Sequence, residues 1–146
     1  TFTVVRNKIM KVVSGLIFRD GLLLLQQRSI HRDYSLLWET PGGKVEPGET
    51  QREALCRELE EELGLVISPR KTRRLSTETL LPPEVHIAVE ITYYKVTVPR
   101  KWQPKLLDAV GVGWFSREAY LTLPLIPGNI RILPALSCDW DFYSGK

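Results

Sequence analysis

The sequence predicts an α/β protein in which a mixed β-sheet is covered by helices on both faces. Three observations carry that expectation. Two apolar runs rich in Val, Ile and Leu flank the turn sequence Arg19-Asp20-Gly21 near the start of the chain, and a strongly capped helix follows them. Strand-like alternation then returns and gives way to a second helical stretch near the end. Strands thus come before, between and after helices, with hairpins among them.

In chain order, residues 9–18 and 22–27 predict a β-hairpin around Arg19-Asp20-Gly21, and the unbroken Leu22-Leu23-Leu24-Leu25 predicts a strand buried on both faces. Polar residues 28–35 form a loop, and residues 36–40 bring the chain to the glycine turn Pro41-Gly42-Gly43. Thr50 is an N-cap and Glu53, three residues on, completes a capping box, so a helix starts at Gln51 and ends at Gly64. Residues 66–69 lead through the basic cluster Arg70, Lys71, Arg73 and Arg74, a solvated connection, to a strand over 74–80 that Pro82-Pro83 breaks. Residues 85–98 alternate as a long strand pairing back on it. A polar loop at 101–105, a short strand at 110–115 and a short helix capped by Ser116 and running to Tyr120 follow. Residues 129–136 read as helical, with Pro134 at the far boundary.

The helix after Thr50 is where chemistry concentrates. At about 100° per residue, Glu58, Glu61 and Glu62 fall on one face within an arc of about 100°. Leu55 and Leu59 mark the neighbouring buried edge. The pairs Glu53/Arg57 and Arg57/Glu61 stand at the i, i+4 spacing that lets a cation steady acids. Three carboxylates this close repel one another, and a hard divalent cation with a preference for oxygen ligands relieves the strain, magnesium being the natural choice. A Glu-rich helix alone is more often a solvated surface. The loop in front of it changes the odds. The segment fits G-x5-E-x7-R-E-(apolar)-x-E-E-x-G-(apolar), filled by Gly43, Glu49, Arg57, Glu58, Leu59, Glu61, Glu62, Gly64 and Leu65. It resembles, without a departure, the signature of the Nudix hydrolases, a match that chance supplies on the order of once in a million chains of this length.

The resemblance implies an α/β/α sandwich, with the signature helix on one side of the mixed sheet and the C-terminal helix on the other. Looser similarity to the MutT type, compact enzymes that hydrolyse nucleoside triphosphates, extends over about residues 12–133. It implies metal binding by the backbone carbonyl of Gly42 and by Glu58, Glu61 and Glu62, with Asp108, six residues before Trp114, as a further acid where Glu is often found. It also implies substrate contacts from Arg28, from Lys44 to phosphate charge, and from Asn129 to a base edge, the last with helix capping as the competing role. Thr40 departs from the family, where an aromatic often precedes Pro-Gly-Gly and packs against the base. Trp38, Trp102, Tyr93 and Tyr94 offer other aromatic surface, with core packing the commoner role.

Composition bounds the rest. The 146 residues, 43% hydrophobic and 25% charged, suit one soluble domain spanning 1–146. A net charge of +3 is too mild to imply a nucleic-acid polymer as partner. No apolar run approaches the roughly 20 residues that span a bilayer, and no secretory signal stands out, so a cytoplasmic home is expected. Cys56 and Cys138 lack a C-x-x-C or Cys/His ligand spacing, and His31 and His86 add no zinc pattern, so the thiols are expected to be reduced.

The expected function is magnesium-dependent hydrolysis, with manganese as a substitute, of a nucleoside diphosphate linked to a further group. A nucleoside triphosphate giving monophosphate and pyrophosphate comes first, in a role such as sanitising damaged nucleotides. Glu61 is the first choice of general base and Glu58 the second, with Arg57 steadying both. ADP-ribose, a dinucleoside polyphosphate or the capped end of an RNA are alternative substrates of the same chemistry. Pro82 lies near a marker proline of ADP-ribose-cleaving relatives, while Pro83-Glu84-Val85-His86 matches the MutT type better. A non-catalytic nucleotide-binding module is the alternative of another class, and such modules usually lose signature acids that this chain keeps.

Overall fold

The computed structural model describes residues 9–81 and 87–145. The proline pair at 82–83, the hairpin at 83–86, His86 and the start of the strand expected from residue 85 lie outside the described residues.

The strands divide between two sheets of four. The first has the order β5-β1-β7-β6, built from β1 (Ile9–Leu16), β5 (Gly42–Lys44), β6 (Thr72–Leu80) and β7 (Ala88–Val96). It is mixed, because β1 runs parallel to β7 and antiparallel to β5, while β6 and β7 are antiparallel as the alternation predicted. The second joins β2 (Phe18–Arg19), β3 (Leu22–Gln27), β4 (Trp38–Glu39) and β8 (Gly111–Phe115), with β3 central.

The predicted hairpin is therefore shorter than expected. Only β2 pairs with β3, Phe18 against Leu23 and Arg19 against Leu22, across a turn in which Asp20 and Gly21 have φ of 51° and 77°. Residues 9–16 belong to the other sheet, because β5 and β7 occupy both edges of β1 and leave no partner position for β3. The chain changes sheets at Ile17.

Two cores lie on opposite sides of the sheets, and the period of two along each strand sorts residues between them. Val13, Ile17, Leu24, Tyr94 and Val96 pack with Ala54, Leu55, Leu59 and Leu63 of helix α1 (Gln51–Leu63). Leu16, Leu23, Leu25, Ile91 and Tyr93 pack with Tyr120, Ile132, Leu136 and Trp140. Those four come from α2 (Arg117–Thr122), α3 (Pro127–Cys138) and α4 (Trp140–Ser144). Leu23, Leu24 and Leu25 are wholly buried, as a strand covered on both faces must be. Ser116 caps α2 by accepting from Ala119 N at 3.2 Å.

Helix α3 continues through Pro134 to Cys138, beyond its expected limit. Pro134 faces solvent, so the carbonyl it leaves unpaired on Ile130 can meet water, while Ile132 and Leu136 keep the opposite face buried. The four basic residues are exposed, but Arg70 and Lys71 form a 3-10 turn (Pro69–Lys71) and Arg73 and Arg74 belong to β6, so only half of the cluster is a connection.

Candidate active site

Helix α1 has the limits its sequence predicts. Thr50 Oγ1 accepts from Glu53 N and Glu53 returns the bond to Thr50 N, both at 3.1 Å, and Gly64 closes the helix at φ 68°. The expected Glu53/Arg57 pair does not form, because the Glu53 carboxylate is used in that cap. Arg57 turns instead to Glu49, with Nη2 and Nε donating at 2.7 and 3.2 Å, and Nη2 also reaches the Lys44 carbonyl at 3.0 Å. Its Nη1 donates to Glu58 at 3.0 Å and, at the expected i+4 position, to Glu61 at 3.4 Å. Arg57 thus ties the glycine loop to the acidic face. The charge-assisted bonds, that to Glu49 first, raise its pKa, and in return hold the Glu49 carboxyl below the usual range.

Glu58 and Glu62 lie against the glycine loop. A Cβ on Gly43 would fall 2.4 Å from the Glu58 carboxyl carbon, so only glycine admits that carboxylate there. Burial raises the Glu58 pKa against the opposing pull of Arg57. Glu62 accepts from Gly42 N at 3.1 Å and from Gln26 Nε2 at 2.8 Å. Burial first, then the charges of Glu58, Glu39 and Asp108, push its carboxyl up to about 8, although the Gln26 bond works the other way. Glu61 is the exposed member of the three, with over half of its side chain open to solvent.

Beside the two glycines lies an open cleft of about 500 Å³, whose walls include Gly42, Gly43, Lys44, Arg28, Arg32, Tyr34, Tyr93 and Asn129. Arg28 lines it, with Nη1 on the buried Glu39 carboxylate and Nε on the Asp33 carbonyl, both at 2.7 Å. Asn129 is buried in the cleft wall. Its Oδ1 accepts from Thr40 N at 3.2 Å and its Nδ2 donates to the Thr40 hydroxyl at 3.1 Å, so its side chain grips Thr40 and caps no helix. The hydroxyls of Thr40 and Ser14 share a further hydrogen bond. Tyr93 stands on the cleft wall, its hydroxyl donating to the Gly128 carbonyl at 2.6 Å. Tyr94 and Trp102 pack into the core beside α1, and Trp38 sets its ring against Phe115.

Asp108 reaches the acidic end from another element. Its loop is fastened to the end of α1 by Lys105 N on the Leu63 carbonyl at 2.9 Å and Leu107 N on the Glu62 carbonyl at 3.3 Å, and its carboxylate pairs with Arg32 at 3.1 Å. Sequence reasoning passed over Glu39, Gln26, Arg32 and Tyr34. A carboxylate inside the apolar stretch before Pro-Gly-Gly was the one available signal for Glu39.

Among the described residues, no three His, Cys, Asp or Glu side chains already converge as a metal cage. The acids are held apart, Glu58 and Glu61 by Arg57 and Glu62 by Gln26 and Gly42. The donor set nevertheless fits a hard divalent ion, being all oxygen, with two carboxyls whose burial costs are only partly offset by Arg57 and Gln26. Gln26 Oε1, buried beside Glu62, is the one such side-chain atom without a hydrogen-bond partner among the described residues.

A layered α/β fold, an acidic helix closed onto a glycine loop and a cleft beginning there agree with the comparisons. A family model described as "NUDIX domain" matches residues 8–136, and the chain belongs to the Nudix family. It is 36% identical over 129 residues to the CTP pyrophosphohydrolase of Escherichia coli (strain K12), spanning 88% of this chain and 91% of that protein. A shorter stretch of 61 residues, 41% of this chain and 45% of the relative, is 48% identical to the 8-oxo-dGTP diphosphatase of Haemophilus influenzae (strain Rd). The crystal structure of the MutT NUDIX hydrolase from Burkholderia pseudomallei superposes with a TM-score of 0.76 at 25% identity, covering 88% of this chain and 98% of that one. The chain is accordingly a Nudix pyrophosphohydrolase. No helix among the described residues is long and apolar enough to cross a membrane.

Proposed function

We propose that the chain hydrolyses a nucleoside triphosphate to nucleoside monophosphate and pyrophosphate in the presence of magnesium, with manganese able to substitute. The observation that carries this reading is the cleft lined by Gly42 and Gly43, the glycines against which Glu62 and Glu58 lie, by Arg28 and Lys44, and by the buried polar group of Ser14, Thr40 and Asn129. The glycines and cations suit phosphates, and the buried amide suits a base edge. The names of the relatives, with CTP in one and 8-oxo-dGTP in another, favour a triphosphate substrate of this kind.

Gly42 through its carbonyl, with Glu58, Glu61, Glu62 and Asp108, would hold the metal, which when bound neutralises phosphate charge and makes water more acidic. The remaining work falls to the chain. Lys44 meets phosphate charge, Arg28 lines the cleft wall, and Asn129 with Thr40 meets the base. Water attacks phosphorus, the bond to the leaving phosphate oxygen breaks, and a carboxylate takes the proton. Glu61 is the best placed base, because it is exposed and held only by the longer of the two Arg57 contacts, while Glu58 is drawn more closely to Arg57. Arg57 positions both acids.

Product analysis with magnesium and a panel of ordinary and oxidised triphosphates, ADP-ribose and a dinucleoside polyphosphate tests the reading. Monophosphate plus pyrophosphate from a triphosphate is the expected outcome. Cleavage of ADP-ribose or the dinucleotide alone would overturn the substrate, and no cleavage at all would overturn the activity. Glu61→Gln keeps the shape and removes the base, so turnover should fall about 100-fold or more with the melting temperature unchanged. Near-normal turnover in that variant would move the base to another acid.

A further inference from the structure

We propose that Arg32 is a further polyphosphate-binding residue, held at the cleft mouth by Asp108 until substrate takes the place of that carboxylate. The inference deepens the function proposed above and rests on it.

Three cations line the cleft, and they differ in how firmly they are held. Arg28 is largely buried, and two of its nitrogens are spent on Glu39 and the Asp33 carbonyl. Lys44 is exposed, with no ion pair among the described residues. Arg32 stands between these cases. Its side chain is 49% exposed and that of Asp108, its one carboxylate partner among the described residues, is 46% exposed, at 3.1 Å. An ion pair that open to water is screened and adds little to stability, so an incoming polyanion can replace Asp108 at little cost.

The two partners come from different loops. Arg32 is carried by the loop over residues 28–37, which Arg28 fastens at its base. Arg28 N donates to the Leu37 carbonyl, Leu36 N donates to the Arg28 carbonyl, and Arg28 Nε holds the Asp33 carbonyl. Asp108 is carried by the loop bonded to the end of α1, which is also fixed by Val110 N on the Gln27 carbonyl at 3.0 Å. Both backbones are anchored and both side chains are free to turn. The pair joins an arginine of the cleft wall to the loop beside the acidic face, close enough that the charge of Arg32 is felt at Glu58 and that of Asp108 at Glu62.

The exchange serves both partners. A guanidinium presents its donors as a planar fork that matches two phosphate oxygens, better than it is served by one solvated carboxylate. Asp108, once released, adds an oxygen donor to the group formed by Glu58, Glu61 and Glu62. Arrival of the polyphosphate thus assembles the full acidic site in the same movement that fixes Arg32.

The test uses the magnesium-loaded protein, with inorganic triphosphate as a probe that has no base. Calorimetric titration should give at least a tenfold weaker dissociation constant in Arg32→Gln than in the wild type, with Arg32→Lys between them. In hydrolysis of a nucleoside triphosphate, Arg32→Gln should raise KM about tenfold with kcat within threefold, whereas Asp108→Asn should lower kcat without raising KM. A pair that only clasps the two loops would move KM and kcat in the same way in both variants, and that result overturns the inference. So does inorganic triphosphate binding in Arg32→Gln within twofold of wild type, or no binding by the wild type. If the wild type binds the probe in an Arg32-dependent manner but releases no pyrophosphate from any nucleotide, the proposed reaction falls and the binding role stands.

Discussion

Glu62→Gln should make the metal-free protein more resistant to heat at pH 8 while lowering its magnesium-dependent turnover on the order of a hundredfold or more. Both effects follow from one buried carboxyl. In the folded chain burial and the nearby acids push Glu62 up to about 8, against 4.5 for an unperturbed glutamate. Between those values the folded state keeps a proton that the unfolded state has released, so stability falls as pH rises through that window. By pH 8 the accumulated penalty is on the order of a few kcal/mol in the absence of metal. A neutral amide escapes it, and the local hydrogen bonds can adjust. Gln26 can turn its unpartnered Oε1 to accept from the new side-chain amide N–H, while the new carbonyl oxygen still accepts from Gly42 N.

Thermal melts in chelator from pH 5 to 8 should therefore show the wild type losing stability with rising pH and Glu62→Gln changing much less. Added magnesium should raise the melting temperature of the wild type and have little effect on the variant. A variant that melts lower than the wild type at pH 8, or that gains as much from magnesium, would remove Glu62 from the acidic site.

The features legible in the sequence were those set by neighbours a few residues apart. The limits of α1 depend on Thr50, Glu53 and Gly64, and the common face of Glu58, Glu61 and Glu62 depends only on helix period. What failed was pairing over distance. Apolar strands such as 9–16 and 22–27 carry no mark of which strand lies beside them, so the hairpin was read one sheet too long.

The same limit applies at the site. Gln26 and Glu39 stand side by side only because β3 and β4 pair in that register, and Glu62 then meets Gln26 from a helix far along the chain. Arg28 and Asn129, which the family resemblance implied, both line the cleft, yet the resemblance said nothing of Glu39 and Thr40 as the partners that hold them. Glu53 shows the converse, because two local rules competed for one carboxylate and the cap won over the ion pair. The short helix α4 was missed because its burial through Trp140, whose indole donates to the Gly21 carbonyl at 2.8 Å, depends on a residue at the other end of the chain.

Adding one methyl group at two adjacent glycines should give two different defects. A Cβ on Gly42 would lie 2.0 Å from the Val13 carbonyl oxygen and 2.8 Å from Ser14 Cα, both backbone atoms of β1, which is held on its far side by β7. Neither can yield without parting β5 from β1, so Gly42→Ala should cost about 3 kcal/mol or more in denaturant unfolding and lose activity as a consequence. At Gly43 the clash is with the Glu58 carboxylate, at 2.4 to 2.7 Å, and a side-chain terminus can swing aside. Gly43→Ala should stay within about 1 kcal/mol of wild-type stability. Its displaced Glu58 would leave both the loop and Arg57, so the magnesium concentration for half-maximal rate should rise about tenfold or more and turnover should fall with it. Gly42→Ala unfolding at the wild-type denaturant midpoint would contradict the close approach of β5 to β1. An unchanged magnesium dependence in Gly43→Ala would show that the position of Glu58 against the loop is not the one the reaction uses.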